Sequence, residues 1–402
     1  MSATQTDVVI IGGGLVGASL AVALAPLIER GLRVSVIEAS RLESGSAQPS
    51  FDERSSAIAW GSRRHLERLG LWAALAERAS PIRDIHITQR GALGRVHLSH
   101  REVHTPALGY VLPNALLGQV LHERLAAMAI DWRCPARVES IAAGAQGYRL
   151  ELDDGRSLEA DLTVLADGGR SGLKQKLGID TKRHDYEQSA LVANVETGRD
   201  HRGSAFERFT ADGALALLPL SKRRMAMIWS RPPAALEALQ RLDERAFLTA
   251  LQTHFGTRLG RFQRLGRRHV YPLVLARARE QSRPHLAVLG NAAHALHPIA
   301  GQGFNLALRG VMDLADALEA ARLAGRGPGA RQTLADFERR RGGDRDLIMQ
   351  ASDALVRLFD LSLPGIGGLR GAGLGLFNTA APLKRALIRR AMGLERGQTA
   401  RQ

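Results

Sequence analysis

The 402-residue sequence contains one cysteine, few aromatic residues and no long uninterrupted apolar run. Cys134 alone cannot form an internal disulfide or a thiolate cluster, which fits a reducing compartment. Aromatic residues make up 4% of the chain, too few for a base-stacking surface, so we expect no nucleic-acid partner despite the net charge of +15. The first 14 residues have no basic segment followed by a long apolar run, so we expect no signal peptide, and no window of about 18 apolar residues occurs. These absences predict a cytoplasmic protein without a membrane-spanning helix.

The composition is that of a globular protein with more than one core. Hydrophobic residues account for 45% of the chain and charged residues for 24%. A chain of this length exceeds what a single simple core usually organises, so two domains, or one large domain with an insertion, are expected.

The N-terminal segment combines an apolar strand, a glycine-rich turn, a helix and a second strand. "DVVII" (7–11) precedes Gly12, Gly14 and Gly17, which have G-x-G-x-x-G spacing, and the second strand ends at Glu38. Glycines at these positions permit a tight turn, close approach of a pyrophosphate and close packing of helix on strand. The carboxylate after the second strand suits a ribose hydroxyl. This unit predicts a site for FAD or NAD.

Two later apolar strands also end in polar or glycine-rich turns. "LTVLAD" (162–167) runs into Gly168, and "HLAVLG" (285–290) runs into Asn291, a glycine-containing loop and an amphipathic helix. An Asp-Gly pair by itself is more often only a turn. His294 and His297, three residues apart, suggest a metal site, but no third ligand accompanies them and we expect no metal.

Together the three motifs resemble the class A FAD monooxygenases, the aromatic hydroxylases that include p-hydroxybenzoate hydroxylase. The resemblance implies that the first motif binds the ADP part of FAD, that Asp167 and Gly168 contact FAD and NAD(P)H, and that Gly290 and Asn291 bind the ribityl chain. Arg54 matches an arginine that follows the second strand in the family.

Two positions depart from the family pattern. Asn291 stands where Asp is usual, and Lys174 stands where Arg is common. An asparagine amide can still donate and accept hydrogen bonds to ribityl hydroxyls.

The resemblance covers nearly the whole chain and is strongest to the ubiquinone-biosynthesis hydroxylases, the UbiH, UbiF and UbiI group. Within that group, "AFERFT", "GNAAH" and "APLKRALIRRAMGL" are most similar to the branch that hydroxylates 2-polyprenyl-6-methoxyphenol to 2-polyprenyl-6-methoxy-1,4-benzoquinol. The family implies that NAD(P)H reduces FAD, that O2 adds at flavin C4a, and that the hydroperoxide's terminal oxygen passes to the phenol. The alternatives are a UbiF- or UbiI-type hydroxylase acting at another ring position and a non-catalytic, FAD-stabilised scaffold of a biosynthetic complex. Other enzymes of that pathway are possible partners.

The fold implied is α/β, with a Rossmann-like FAD-binding domain of the p-hydroxybenzoate hydroxylase type, an inserted, mostly antiparallel β-sheet domain and a C-terminal helical tail. The predicted FAD domain is discontinuous and comprises 1–75, 100–180 and 266–345. The predicted substrate domain comprises 76–99 and 181–265, within which 82–99 forms a hairpin. Residues 346–402 form the tail.

The resemblance places the flavin beside the loop that starts the last helix of the FAD domain. We name no catalytic side chain, because the cofactor carries most of the chemistry. The flavin-positioning residues are Pro298, Gly301, Gln302 and Gly303, and Asn305 is a further cofactor-binding candidate. Candidate walls of the substrate pocket are Phe206, Phe209, Leu217, Pro219 and Tyr271.

The tail becomes basic at Lys384, Arg385, Arg389 and Arg390. This pattern fits a helix at the inner-membrane surface that admits a polyprenyl chain. It fits equally well a helix packed on the FAD domain or used in oligomer contacts.

Overall fold

The first sheet is built mainly from parallel strands. The computed structural model describes residues 4–40, 54–91, 94–210, 213–295, 302–360, 378 and 380–394. Neighbouring strands β19, β11, β1, β2 and β8 run parallel, and β18, β10 and β9 extend the sheet antiparallel. The bounds are β1 (Thr4–Ile11), β2 (Val34–Ile37), β8 (Asp131–Arg133), β9 (Val138–Gly144), β10 (Gly147–Leu152), β11 (Ser157–Leu165), β18 (Ser282–Arg283) and β19 (Leu286–Val288).

Helices and a further layer of side chains bury both faces of this sheet. Val8 and Ile10 of β1 face α1 (Leu15–Ala23), α5 (Asn114–Ala126) and α9 (Gln302–Leu323), whereas Val9 and Ile11 pack with Leu150 and Leu158. A strand that is buried on both faces reads as a continuous apolar run, which explains "DVVII". The Rossmann-like prediction is confirmed.

The second sheet has nine strands and is mostly antiparallel, as predicted. Its strands are β5 (Asp84–Gln89), β6 (Arg95–Ser99), β12 (Thr181–Thr197), β13 (Ser204–Thr210), β14 (Gly213–Pro219), β15 (Arg224–Arg231), β16 (Phe262–Leu265), β17 (His269–Ala278) and β20 (His294–Ala295). The expected hairpin is β5–β6, which joins the sheet through β13. Helices α7 (Pro233–Arg241) and α8 (Glu244–Phe255) cover one face of the sheet.

Two predicted domain boundaries need correction. The predicted FAD domain resumes at residue 266, yet β17 (His269–Ala278) pairs with β12 along the second sheet, and β20 pairs with β17 in turn. At the other boundary, β4 (Ser80–Ile82) pairs with β7 (Gly109–Pro113), which also pairs with β3 (Ser55–Ala59), in a small separate sheet. Both boundaries were misplaced because the residues of a strand do not reveal which sheet it joins.

The remaining helices fill the gaps between the layers. They are α2 (Ala25–Ile28), α3 (Trp60–Arg68), α4 (Trp72–Ala76), α6 (Leu173–Lys176), α10 (Arg331–Asp360) and the C-terminal helix (Ala381–Ala391), with 3-10 turns at His100–Val103 and Gly290–Ala292. Across the described ranges, no helix combines the length and apolar character needed to cross a bilayer.

The C-terminal helix packs beside the β5–β6 hairpin. Ile388 and Met392 are buried against Val96 and Leu98 of β6, and Lys384 donates to the carbonyl oxygen of His97 at 3.1 Å. One face of this helix is therefore packed on the protein, against β6 of the substrate sheet and against Val103 and Leu108 of the predicted FAD domain.

Candidate active site

A cavity of about 660 Å³ runs from the carboxyl ends of the parallel strands to the uncovered face of the nine-stranded sheet. Most of the predicted cofactor residues line it: Gly12, Gly14, Glu38, Arg54, Asp167, Gly168, Asn291 and Gly303. Pro298 and Gly301 lie outside the described residues, and Gln302 begins α9. The three motifs, which are far apart in sequence, thus meet around one space.

The glycines of the first motif are required by close backbone contacts. Gly12 has φ +104°, and a Cβ there would lie 2.6 Å from the carbonyl oxygen of Ala166. A Cβ on Gly17 would lie 1.8 Å from the carbonyl oxygen of Gly12, so α1 packs directly on the turn. Gly14 caps the start of α1 without a side-chain hydrogen bond. The helix therefore presents backbone N–H groups and the positive end of its dipole at the cavity, which suits a pyrophosphate.

Glu38 both organises the turn and faces the cavity. Its Oε2 accepts from the N–H of Gly13 at 2.7 Å, and its Oε1 accepts from the N–H of Ser40 at 2.7 Å. Each carboxylate oxygen has two lone pairs, so each keeps an acceptor site for a ribose hydroxyl. Gly13 is not one of the glycines of the G-x-G-x-x-G pattern. A Cβ there would lie 2.5 Å from the ring of Trp132, so this position also has no room for a side chain.

Asp167 uses its carboxylate to shape the second motif. Its oxygens accept from the N–H groups of Gly169 at 2.9 Å and Ser171 at 3.0 Å, and also from the Ser171 hydroxyl. Gly168 and Gly169 have φ of +70° and +76°, a region that favours glycine. The Asp-Gly pair is thus a turn, as its local reading suggests, and this turn forms part of the cavity wall.

Lys174 links the second and third motifs. Its Nζ donates to the carbonyl oxygen of Ala292 at 2.8 Å and to Oγ1 of Thr181 at 3.2 Å. Burial lowers the pKa of Lys174. Because the ammonium group is engaged within the protein, Lys174 positions the Gly290–Ala292 turn.

The third motif separates into packing positions and a cavity position. Gly290 has φ +60°, and a Cβ there would lie 2.8 Å from Val16, so this residue lets the turn pack on α1. Asn291 lines the cavity. Gly303 also lines it, and a Cβ there would meet nothing within 4 Å, so this part of the wall borders open space.

Asn305 does not line the described cavity, so its role as a cofactor ligand stays a prediction. Its side chain is 1% exposed. Oδ1 accepts from the N–H of Ala59 at 2.8 Å, and Nδ2 donates to the carbonyl oxygen of Ala57 at 2.8 Å. The amide therefore binds α9 to the free edge of β3, and the cavity-lining residue Ala57 is held in place by it.

Arg54 connects the cofactor side of the cavity to the substrate sheet. Its guanidinium carbon lies 4.8 Å from the ring centroid of Tyr271 on β17, a cation–π geometry. Tyr271 therefore adjoins the cavity through Arg54, close to the place predicted for it.

The sheet side of the cavity is formed by the aliphatic side chains of Val192, Leu218 and Ile228. Val192 and Ile228 are paired across strands β12 and β15, so they lie on the same face of the sheet. The structure thus supplies an apolar wall that sequence reasoning missed, because the alternation of a strand does not reveal which face meets the cofactor.

Three predicted pocket walls lie on the wrong face of the sheet. Phe206 and Leu217 are paired across β13 and β14 and are buried against α8, where the Phe206 ring lies 5.4 Å from that of Phe255. Pro219 shares the face of Leu217 by the two-residue period. Phe209 is on the opposite face and buried, but does not line the described cavity. The larger side chains of these strands pack with helices α7 and α8 in a separate apolar core.

His294 lies in a cationic environment that disfavours a metal ion. It is 2% exposed, and its Nδ1 lies 3.4 Å from a guanidinium nitrogen of Arg341. Burial, followed by the charges of Arg341 and Arg345, holds the pKa of His294 well below its usual range. The positive charges of the arginines around this imidazole would repel a cation. His297 lies outside the described residues.

A family model described as "FAD binding domain" matches residues 5–347. The chain belongs to this family. Its fold is that of the class A flavin monooxygenases, and it is an FAD-dependent aromatic monooxygenase, as predicted. NAD(P)H is the electron donor typical of this family.

Two curated relatives cover almost the whole chain. "Ubiquinone hydroxylase UbiL" of Rhodospirillum rubrum is 38% identical over 388 residues, covering 96% of this chain and 89% of the relative. "3-Demethoxyubiquinol 3-hydroxylase" of Escherichia coli is 33% identical over 396 residues, covering 98% and 100%. These relatives support the ubiquinone-biosynthesis group, whereas special closeness to the UbiH branch stays a prediction.

A solved structure supports the fold. The p-nitrophenol 4-monooxygenase PnpA from Pseudomonas putida superposes with a TM-score of 0.79, and the match covers 98% of this chain and 100% of that one. At 20% identity this likeness shows the fold alone.

The residues present fit FAD. Gly12 and Gly17 leave no room for a Cβ at the turn, the start of α1 faces the cavity, and Glu38 follows the end of β2. Arg54 and the aliphatic residues of the nine-stranded sheet line the same cavity. An extended dinucleotide placed along this line has an anion site, a ribose acceptor and an apolar region for its flavin.

Proposed function

We propose that this FAD-dependent monooxygenase hydroxylates the aromatic ring of a polyprenylated phenol in ubiquinone biosynthesis, with NAD(P)H and O2 as co-substrates. The observation that carries the proposal is the aliphatic wall of Val192, Leu218 and Ile228, which faces the cofactor-binding residues across the cavity. Such a wall favours an uncharged, apolar ring. The names of both curated relatives support a ubiquinone-pathway substrate.

The chain's own residues bind the cofactor, orient the ring and exclude water. When bound, FAD supplies electron transfer from NAD(P)H and the activation of O2. Gly12 and the start of α1 hold the diphosphate, and Glu38 accepts from a ribose hydroxyl. The aliphatic wall keeps water away from the reacting region and so limits side reactions with water.

For the ring position, we propose conversion of 2-polyprenyl-6-methoxyphenol to 2-polyprenyl-6-methoxy-1,4-benzoquinol, on the sequence resemblance described above. The Escherichia coli relative supports a second candidate, since its name specifies hydroxylation at a different position of a similar ring.

Deleting the gene in its host and identifying the accumulated quinone precursor by mass spectrometry tests both candidates. Accumulation of 2-polyprenyl-6-methoxyphenol is expected, and accumulation of a demethoxyquinol would favour the second candidate. Unchanged quinone pools would reject the pathway assignment. Complementation by an FAD-binding Ile228→Glu variant that shows no hydroxylase activity in vitro would instead favour the scaffold alternative, because a scaffold needs no catalysis.

We also propose that the C-terminal helix touches an anionic membrane surface. Leu383 and Leu387, one turn apart, are 59% and 45% exposed, although Ile388 is buried in the same helix. Arg385, Arg389 and Arg390 are exposed near them. Exposed leucines beside arginines suit the interface of an anionic bilayer.

Sedimentation with vesicles of phosphatidylglycerol and phosphatidylcholine tests this contact. The double variant Leu383→Ser/Leu387→Ser should bind less, whereas Leu323→Ser, at a position 77% exposed on α9, should bind as the wild type does. Equal binding by all three proteins would reject the helix as the contact.

A further inference from the structure

A second concavity, of about 610 Å³, lies on the other face of the nine-stranded sheet. Its walls come from β15, the end of β5 and helices α7 and α8. Ile228 lines the FAD cavity, whereas the next residue, Trp229, lines this one, so the sheet separates the two spaces. We call the second concavity the arginine groove.

The arginine groove is strongly cationic. Arg90, Arg231 and Arg245 line it. Asp243 supplies the only carboxylate of the described lining, and its Oδ1 already accepts from the N–H of Ala246 at 2.7 Å. Neither Arg90 nor Arg245 has a carboxylate within salt-bridge distance among the described residues. Positive charge is therefore in excess on this surface.

A fourth arginine lies beside the groove in the same sheet. Arg208 of β13 pairs with Leu215, which in turn pairs with Trp229, so Arg208 shares the face of the groove. Its NH1 donates to the carbonyl oxygen of Phe255 at 2.8 Å. Burial and the nearby charge of Arg90 lower the pKa of Arg208. A bound anion would relieve this repulsion.

The rest of the lining suits an organic group. Trp229, Leu239 and Ala250 provide apolar surface, and Thr249 and Thr253 provide hydroxyls. Both hydroxyls donate to backbone carbonyls one turn earlier, at 2.8 and 3.0 Å, which leaves their oxygens as acceptors. The groove thus combines a cationic rim with a small apolar floor, because Trp229 and Leu239 are only 2% and 9% exposed.

We propose that the arginine groove is a second ligand site, which binds an organic diphosphate. The diphosphate lies among Arg90, Arg231 and Arg245, because guanidinium groups bind phosphate oxygens in pairs. The organic part lies against Trp229 and Leu239. This site is separate from the proposed hydroxylation and does not depend on its substrate.

Calorimetric titration of the FAD-loaded protein with ADP, and separately with inorganic diphosphate, tests the site. Saturation with FAD keeps ADP from entering the cofactor cavity. ADP should bind more tightly than diphosphate, since only ADP uses the apolar floor. Affinity should fall as salt rises, because the contacts are charged and partly exposed.

Matched arginine variants separate the groove from the general basic surface. Arg90→Ala and Arg245→Ala should each weaken ADP binding about tenfold, as expected for loss of a charge-assisted phosphate contact. Arg241→Ala is the control, because Arg241 is 81% exposed on α7 and does not line the groove. Absence of ADP binding, or equal affinity in all four proteins, would overturn the proposal. Diphosphate binding as tightly as ADP would overturn the part that concerns the floor.

Discussion

Replacement of Asn305 by alanine distinguishes a structural amide from a cofactor ligand. The side chain is buried and makes two backbone hydrogen bonds of 2.8 Å, to the N–H of Ala59 and the carbonyl oxygen of Ala57. Asn305→Ala leaves both backbone groups without these partners inside the protein. At about 1–3 kcal/mol for each of the two unsatisfied groups, the free energy of unfolding should fall by about 2–6 kcal/mol.

The assay combines urea unfolding with FAD titration. The midpoint should fall whether or not extra FAD is added, because the lost contacts lie between α9 and β3. The free energy of FAD binding should change less than the free energy of unfolding, because only the displacement of Ala57 reaches the cavity. An unchanged unfolding free energy together with a large loss of FAD affinity would refute the structural role and support Asn305 as a ligand.

Three further predictions concern other parts of the molecule. Gly12→Ala should abolish FAD binding, measured as flavin absorbance per protein, since its Cβ would lie 2.6 Å from a backbone oxygen at φ +104°. Ile228→Glu should keep FAD but raise KM for the phenol about tenfold or more, because a carboxylate replaces part of the apolar wall. Burial, with Arg258 and His97, lowers the pKa of His86 to about 4. The unfolded chain therefore binds more protons than the folded chain between about pH 4 and 6.5, so stability is lost as pH falls through this range. His86→Phe should make the urea midpoint less dependent on pH in the same range.

Each of these predictions has a control or a contrary result. Gly31→Ala should keep FAD, since Gly31 has φ +91° but a Cβ at that position would meet no atom within 4 Å. Phe206→Leu should lower stability without changing KM, because Phe206 lies on the helix-covered face. Normal flavin content in Gly12→Ala, or an unchanged KM in Ile228→Glu, would contradict the assigned positions. An equally steep pH dependence in His86→Phe would assign it to other groups.

Local backbone requirements explain why the cofactor motifs were predictable. Gly12, Gly17 and Glu38 lie within one strand–helix–strand unit, and the geometry of that unit fixes their relative positions in the fold. Lys174 and Asn305 were harder to interpret. Their partners, Ala292 and Ala57, are distant in sequence, and nothing in the neighbouring residues reveals them.

The substrate wall was missed for a related reason. An alternating strand has two faces, and Phe206 of β13 and Leu217 of β14 both lie on the face that α8 buries. Val192, Leu218 and Ile228 are ordinary aliphatic residues, and they become important only because their face meets the cofactor cavity.

The sequence by itself determined the family, the cofactor and the alternation of strand and helix, because these depend on short-range spacing and on backbone conformations that only glycine adopts readily. The tertiary structure alone decided which sheet β17 joins, which sheet face forms the wall, and which buried amide or ammonium group holds the site together. Those features depend on contacts between residues far apart in the chain, where side-chain volume and unsatisfied backbone groups select the partner.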